Sequence, residues 1–132
     1  MSGVVALRQA VLEALRADEG LMALVNAVED GSAAKVTAPA VLLGQFAASE
    51  WGARGLKGLS VRIPLTSIDR SDRPDRLDAV AARIDAVMDG LPVTAGGWRI
   101  GTVGLDRSRT VRGADGQWSM LTDFLVRLSR LA

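Results

Sequence analysis

The segment from Ser71 to Pro92 has the least structural freedom in this chain. Leu77, Val80, Ala81, Ile84, Val87, Met88 and Leu91 recur at intervals that trace one stripe of a helix. Ser71 or Asp72 is placed to cap it, Pro74 sits in its first turn, and Gly90 with Pro92 ends it. A helix bounded so sharply in mid-chain divides the remaining sequence into two stretches. Both must contribute to a shared core, because 132 residues suit about one domain and hold too little apolar surface for two.

The first stretch opens with Val4, Leu7, Val11, Leu12 and Leu15 at helical spacing, opposed by Arg8, Glu13 and Arg16, which predicts an amphipathic helix over Gly3–Ala17. Asp18 is suited to cap a short second helical segment carrying Leu21, Met22, Leu24 and Val25. From Glu29 to Pro39 the pattern reads as loop. The apolar run Ala40–Phe46 is long enough for a strand, the stretch 47–58 reads as polar connection, and Leu59, Val61, Ile63 and Leu65 alternate as a half-buried strand does. Pro64 cannot donate a ladder hydrogen bond, so this strand is expected at a sheet edge or at a bulge.

The second stretch reads as a hairpin. Trp98 and Ile100 share one parity, Val103 and Leu105 the other, so a residue must be absorbed between them, and Gly101 is the natural place for a bulge. Asp115-Gly116 marks the turn, and Trp118, Met120, Thr122, Phe124, Val126 and Leu128 share one face of the last strand, with Leu121 and Leu125 on the other. The order α-β-β-α-β-β predicts an α+β fold: a four-stranded, mainly antiparallel sheet with two main helices packed on one face, in a single domain over 1–132.

The composition narrows function. Cysteine and histidine are both absent, which removes thiolate chemistry, the commonest zinc ligands and the usual neutral-pH proton-transfer group. Ser and Thr lack a histidine to activate them, and paired carboxylates occur only at the charged helix start; the expectation is no enzyme and no cofactor or metal. No run approaches the ~18 apolar residues of a membrane span, and Arg8, Glu13 and Arg16 break any signal-peptide pattern. A net charge of +1 gives no sign of a nucleic-acid footprint.

Three constellations remain. The run Asp69 to Asp78 places an Asp at every third position; carboxylates suit a divalent cation, but the alternate spacing and sixth-position Gly of a calcium loop are missing. Acids at a helix start with interleaved arginines also read as dipole stabilisation, or as a surface meeting another subunit. Gly52, Gly55 and Gly58 suggest a phosphate loop, yet no Gly-Lys-Ser/Thr ending or helix follows. With Trp51 at its base and Arg54 and Lys57 on it, this loop is a candidate docking element. Arg107 and Arg109 share one side of a strand, with Arg112 beyond; they either meet an acidic partner or phosphate, or simply solvate an edge.

The Ala6–Leu12 helix, the strand Val41-Leu42-Leu43-Gly44, the helix end Ala86–Leu91, the hairpin Asp106–Thr110 with its turn at Asp115-Gly116, and the exit Thr122–Val126 together resemble the tail-terminator, or tail-to-head joining, proteins of long-tailed phages and gene transfer agents. Leu43 and Leu128 stand where that family often carries aromatics. The resemblance implies a structural virion protein made in the bacterial cytoplasm and located in the tail or neck. It implies a homo-oligomer, a hexameric ring, that caps the tail tube, ends its polymerisation and joins it to the head connector. The partners implied are other copies, the tail-tube protein and the connector or stopper, with no membrane; contact with DNA in the lumen is left open and no residue pattern supports it. Interface residues under this reading are Trp51, Arg54, Lys57, Arg107, Arg109 and Arg112. The alternatives are a stopper or adaptor of the same neck, and a ferredoxin-like dimer that binds a small molecule.

Overall fold

The computed structural model describes residues 2–31, 36–52 and 57–131. In chain order the elements are α1 (Gly3–Ala17), α2 (Glu19–Met22), β1 (Ala27–Asp30), β2 (Ala40–Leu43), β3 (Ala47–Trp51), β4 (Gly58–Asp69), α3 (Asp75–Asp89), β5 (Thr94–Ala95), β6 (Trp98–Arg112) and β7 (Trp118–Arg130). The strands form one 7-stranded sheet, ordered β1-β2-β4-β7-β6-β5 with β3 also on β4, and it curls into a half-barrel. This corrects the expected four-stranded sheet with two helices on one face, and the order is not that of a ferredoxin-like dimer unit.

The spine is β4 against β7, antiparallel from Gly58↔Ser129 to Asp69↔Trp118. Alternation along each strand sends Val61, Ile63 and Leu65 of β4 and Phe124, Val126 and Leu128 of β7 to one side, where all are buried. Leu7, Val11 and Leu15 of α1 and Val80, Ile84, Val87 and Met88 of α3 complete that core. We call this helix-covered side of the sheet inner and the opposite side outer.

Two strands lie where loop was expected. β1 carries only Val28 into the core and pairs parallel to β2, an arrangement that its charged residues Glu29 and Asp30 disguise. It is held from α1: Arg16 Nε donates to the Val28 carbonyl at 2.9 Å, and Arg8 donates to the Gly44 carbonyl at 2.8 Å and to Asp30 at 2.6 Å. β3 begins where β2 stops, so the two share one edge of β4: β2 ends at Leu43↔Leu65 and β3 starts at Ala47↔Arg62.

That handover explains Pro64. β4 is a central strand rather than an edge, but Pro64 lies between the two registers, opposite the connection from β2 to β3. Its carbonyl accepts from the Gly44 N–H at 2.8 Å, which shows that the position also lacking an N–H faces this gap. A Cβ on Gly44 would sit 2.8 Å from the Pro64 ring, so glycine is required there.

The α1 and hairpin boundaries hold, while α2 stops at Met22, short of Leu24 and Val25, and the start of α3 differs. α3 starts at Asp75 after Pro74, with no side-chain cap; Ser71 Oγ accepts from Arg73 N instead, and Asp72 makes no capping bond. Asp18 does cap α2, accepting from Leu21 N at 2.8 Å. Gly96 and Gly97, both at positive φ, turn β5 into β6. The bulge near Gly101 is present between Ile100 and Val103, and a second register shift falls between Leu105 and Arg107.

Candidate interface surfaces

The two register shifts decide which way the hairpin arginines point. After the first, Val103 and Leu105 face inward opposite Val126 and Phe124; after the second, Ser108, Thr110 and Arg112 do so instead. Arg107 and Arg109 therefore lie on the outer side, opposite Asp123 and Leu121, while Arg112 lies on the inner side opposite Trp118. Arg107 Nε donates to Asp123 at 2.9 Å, within a group where Arg62 also reaches Asp106 at 2.7 Å and Asp123 at 3.5 Å. Arg112 lies over the Trp118 ring, 5.2 Å from its centroid. Arg109 is exposed and has neither an ion pair nor a ring contact among the described residues.

Trp51 is the last residue of β3, half-buried, on the outer side. Its ring fills the place of a Gly58 side chain: a Cβ there would approach Trp51 Cε2 to 2.4 Å. Gly58 thus serves packing, which removes it from any phosphate cradle. Arg127 sits over the same ring at 5.2 Å, and the indole Nε1 is buried without a hydrogen-bond partner among the described residues. Lys57 is exposed beside it, and its carbonyl accepts from Arg130 N at 3.0 Å. Glu50, Trp51, Lys57, Gly58, Leu59 and Trp98 border an open groove of about 390 Å³ here. Arg54 lies outside the described residues.

The five of the six predicted residues that are described therefore do not form one surface. Trp51 and Lys57 flank the Gly58 end of β4, and Arg112 flanks the Asp69 end, roughly 35 Å away at about 3.3 Å per residue. Arg107 and Arg109 lie between, nearer the second end, on the outer side.

The Asp69–Asp78 run resolves into separate roles. Asp69 is almost wholly buried and takes two bonds from Arg76, Nε at 2.9 Å and the terminal nitrogen at 2.5 Å, plus Ser71 N at 3.1 Å. The Arg76 hydrogen bond, reinforced by Ser71 N, holds its carboxyl below the usual carboxylate range against the opposing effect of burial. Asp18 is lowered likewise, first by Arg83, which donates at 2.7 and 3.0 Å, then by Leu21 N. Asp75 pairs with Arg73 at 2.9 Å. Among the described residues no three acidic side chains converge as a metal site would require.

Sequence reasoning missed one surface. On α3, Asp78, Ala82, Asp85 and Asp89 fall at intervals of four, three and four, all exposed, along a flank beside the buried stripe, where Asp85 also borders a small hollow shared with Leu105, Ser108, Met120 and Thr122. The spacing was visible in the sequence, masked by attention to the apolar stripe beside it.

A family model described as tail completion protein gp17 matches residues 9–128. The chain belongs to the tail completion protein gp17 family. Tail completion proteins of this family are structural parts of a virion tail and neck, in agreement with the resemblance read from the residues. Among solved structures, a chain from the virion of a native gene transfer agent particle is 23% identical, with 98% of this chain and 99% of that chain covered and a TM-score of 0.85. The gp17 protein of bacteriophage SPP1 is 18% identical over 96% of this chain and 89% of that one, with a TM-score of 0.59. These likenesses establish the shared fold. No curated protein matches the chain.

Proposed function

We propose that copies of this tail completion protein close into a ring, six in number as the family resemblance implies, which caps the tail tube, ends its polymerisation and meets the head connector. The observation that carries this reading is the separation of two unlike surfaces along one long ladder: a tryptophan-and-lysine groove at the Gly58 end and an arginine-bearing hairpin towards the other. A ring part needs one surface for its neighbours and another along the axis, and such separation supplies both. The chemistry is binding alone, through aromatic and guanidinium groups of the kind that dominate interface hot spots.

Removing the gene from a producing strain tests this directly. Headless tubes of unregulated length are the expected result; tubes of normal length already joined to heads overturn the capping role. Electron microscopy reads both outcomes.

Trp51→Ala addresses the groove. The ring is half-buried on the sheet's outer side, so the core is left intact and a melting temperature within a few degrees of the parent is expected. The yield of joined particles should fall at least about tenfold if the indole anchors a partner, given hot-spot losses of ~2 kcal/mol or more. Undiminished yield removes Trp51 from the docking surface.

A further inference from the structure

The hairpin's outer side carries an unpartnered patch. Leu121 is 38% and Val111 42% exposed, and Arg109 stands directly across from Leu121. The two hairpin arginines nearest to it are occupied, Arg107 by Asp123 and Arg112 by Trp118. Arg109 differs from these two in combining exposure and apolar neighbours with no ion pair among the described residues.

The complement of this patch lies on the same chain. Asp78, Asp85 and Asp89 line an exposed flank of α3 with Ala82 between them, and none of the three has an ion pair among the described residues. The helix's own arginines are directed elsewhere, Arg76 to Asp69 and Arg83 to Asp18. Like charges repeated along one side of a helix destabilise it, and a cation from outside relieves this. Alanines at 82 and 86 leave room beside the acids for aliphatic groups of the size of Val111 and Leu121.

The two surfaces cannot meet within one copy. α3 packs on the inner side of the sheet, so its aspartate side faces one way and the hairpin's outer side faces the other. Complementary surfaces on different sides of one copy generate head-to-tail contacts rather than a twofold dimer, and such contacts close into a ring when the rotation from copy to copy sums to a full turn. We propose that the outer side of the β6–β7 hairpin, through Arg109, Val111 and Leu121, docks onto the Asp78–Asp85–Asp89 side of α3 in a second copy of this chain. The inference rests on the ring reading above and names its contact.

Charge reversal tests it. Arg109→Glu and Asp85→Arg each place like charges at every contact of a ring, since every copy presents both surfaces. Each is expected to raise the concentration needed for assembly at least about tenfold, and the two reversals combined in one chain should return it to within about threefold of the parent. Both residues are exposed, so circular dichroism should show unchanged folding. The absence of cysteine allows a second measurement: Val111→Cys with Ala82→Cys should give disulfide-linked multimers on oxidation. If the parent assembles and neither reversal matters, or the combined variant is no better than the single ones, this contact is wrong while the ring stands. If the reversals spare assembly and abolish tube attachment, the patch belongs to the tube and the inference is overturned. If the parent remains a single copy at every concentration and at tube ends, the ring reading fails and this contact with it.

Discussion

Leu7→Ala is expected to lower the stability of the folded protein by about 3 kcal/mol, within the 2–5 kcal/mol typical of a deleted core leucine. Leu7 is fully buried where α1 meets the inner side of the sheet, among Val11, Leu15, Ile63 and Val126. Loss of its isobutyl group leaves a cavity lined by helix and sheet together, a site with little scope to collapse because the sheet side is tied by continuous ladders. Total stability for a domain of this size is about 5–15 kcal/mol, so the loss is a large share. Denaturant melts should show a lower midpoint with unchanged slope. Val5→Ala on the same helix is the control, since Val5 is 47% exposed and should change stability by about 0.5 kcal/mol or less. Equal effects at the two positions would mean that α1 does not pack as described. Because ring closure would add concentration-dependent stability, both variants belong on a dilution series.

The second large effect is expected at Asp69. Its carboxylate ends β4 and receives Arg76 from the first turn of α3 together with Ser71 N, so three bonds fix the exit from the sheet into the helix. Asp69→Ala removes them all. Arg76 is partly exposed and can regain water, which places the cost below the 3–5 kcal/mol of a broken buried pair, at about 2 kcal/mol. The pH dependence has a definite sign. The folded carboxyl titrates below its unfolded value, so its contribution is complete above the ordinary carboxylate pKa of about 3.9 and is lost as pH falls through the lower folded value. Asp18, lowered by Arg83, acts in the same direction. Stability of the parent should therefore drop on acidification below about pH 4, and Asp69→Asn should flatten that slope. A parent and variant with parallel acid profiles would remove Asp69 from the account.

How much of this could be read in advance follows the strength of the local pattern. α1, α3, β7 and the Gly101 bulge were legible because their periodicity runs over many residues, and a shift of parity can be seen only when apolar residues stand on both sides of it. β1 and β3 were not. β1 buries one valine before two acids, and Ala-Ala-Ser-Glu of β3 carries no alternation; both are strands because a neighbour presents a hydrogen-bonding edge, β2 to β1 and β4 to β3, a tertiary cause. Pro64 was misplaced for a related reason. The rule that proline avoids central strands concerns its missing donor, and here Pro64 falls at the break between β2 and β3, facing Gly44, whose carbonyl accepts from Arg8 instead. Of the interface residues, the side shared by Arg107 and Arg109 was readable, whereas the opposite placement of Arg112 and the roughly 35 Å that separate it from Trp51 follow from register across strands.

The unbroken pairing of β4 with β7 has a mechanical consequence. The two strands are antiparallel and overlap along the full 12 residues of β4, with Trp51 beside one end and Arg112 beside the other. A pull directed along the strands would act across all their cross-strand bonds in shear, whereas a pull at right angles would open them one after another. A molecule loaded along this direction resists as a stiff strut, with its weak axis turned away from the line of force.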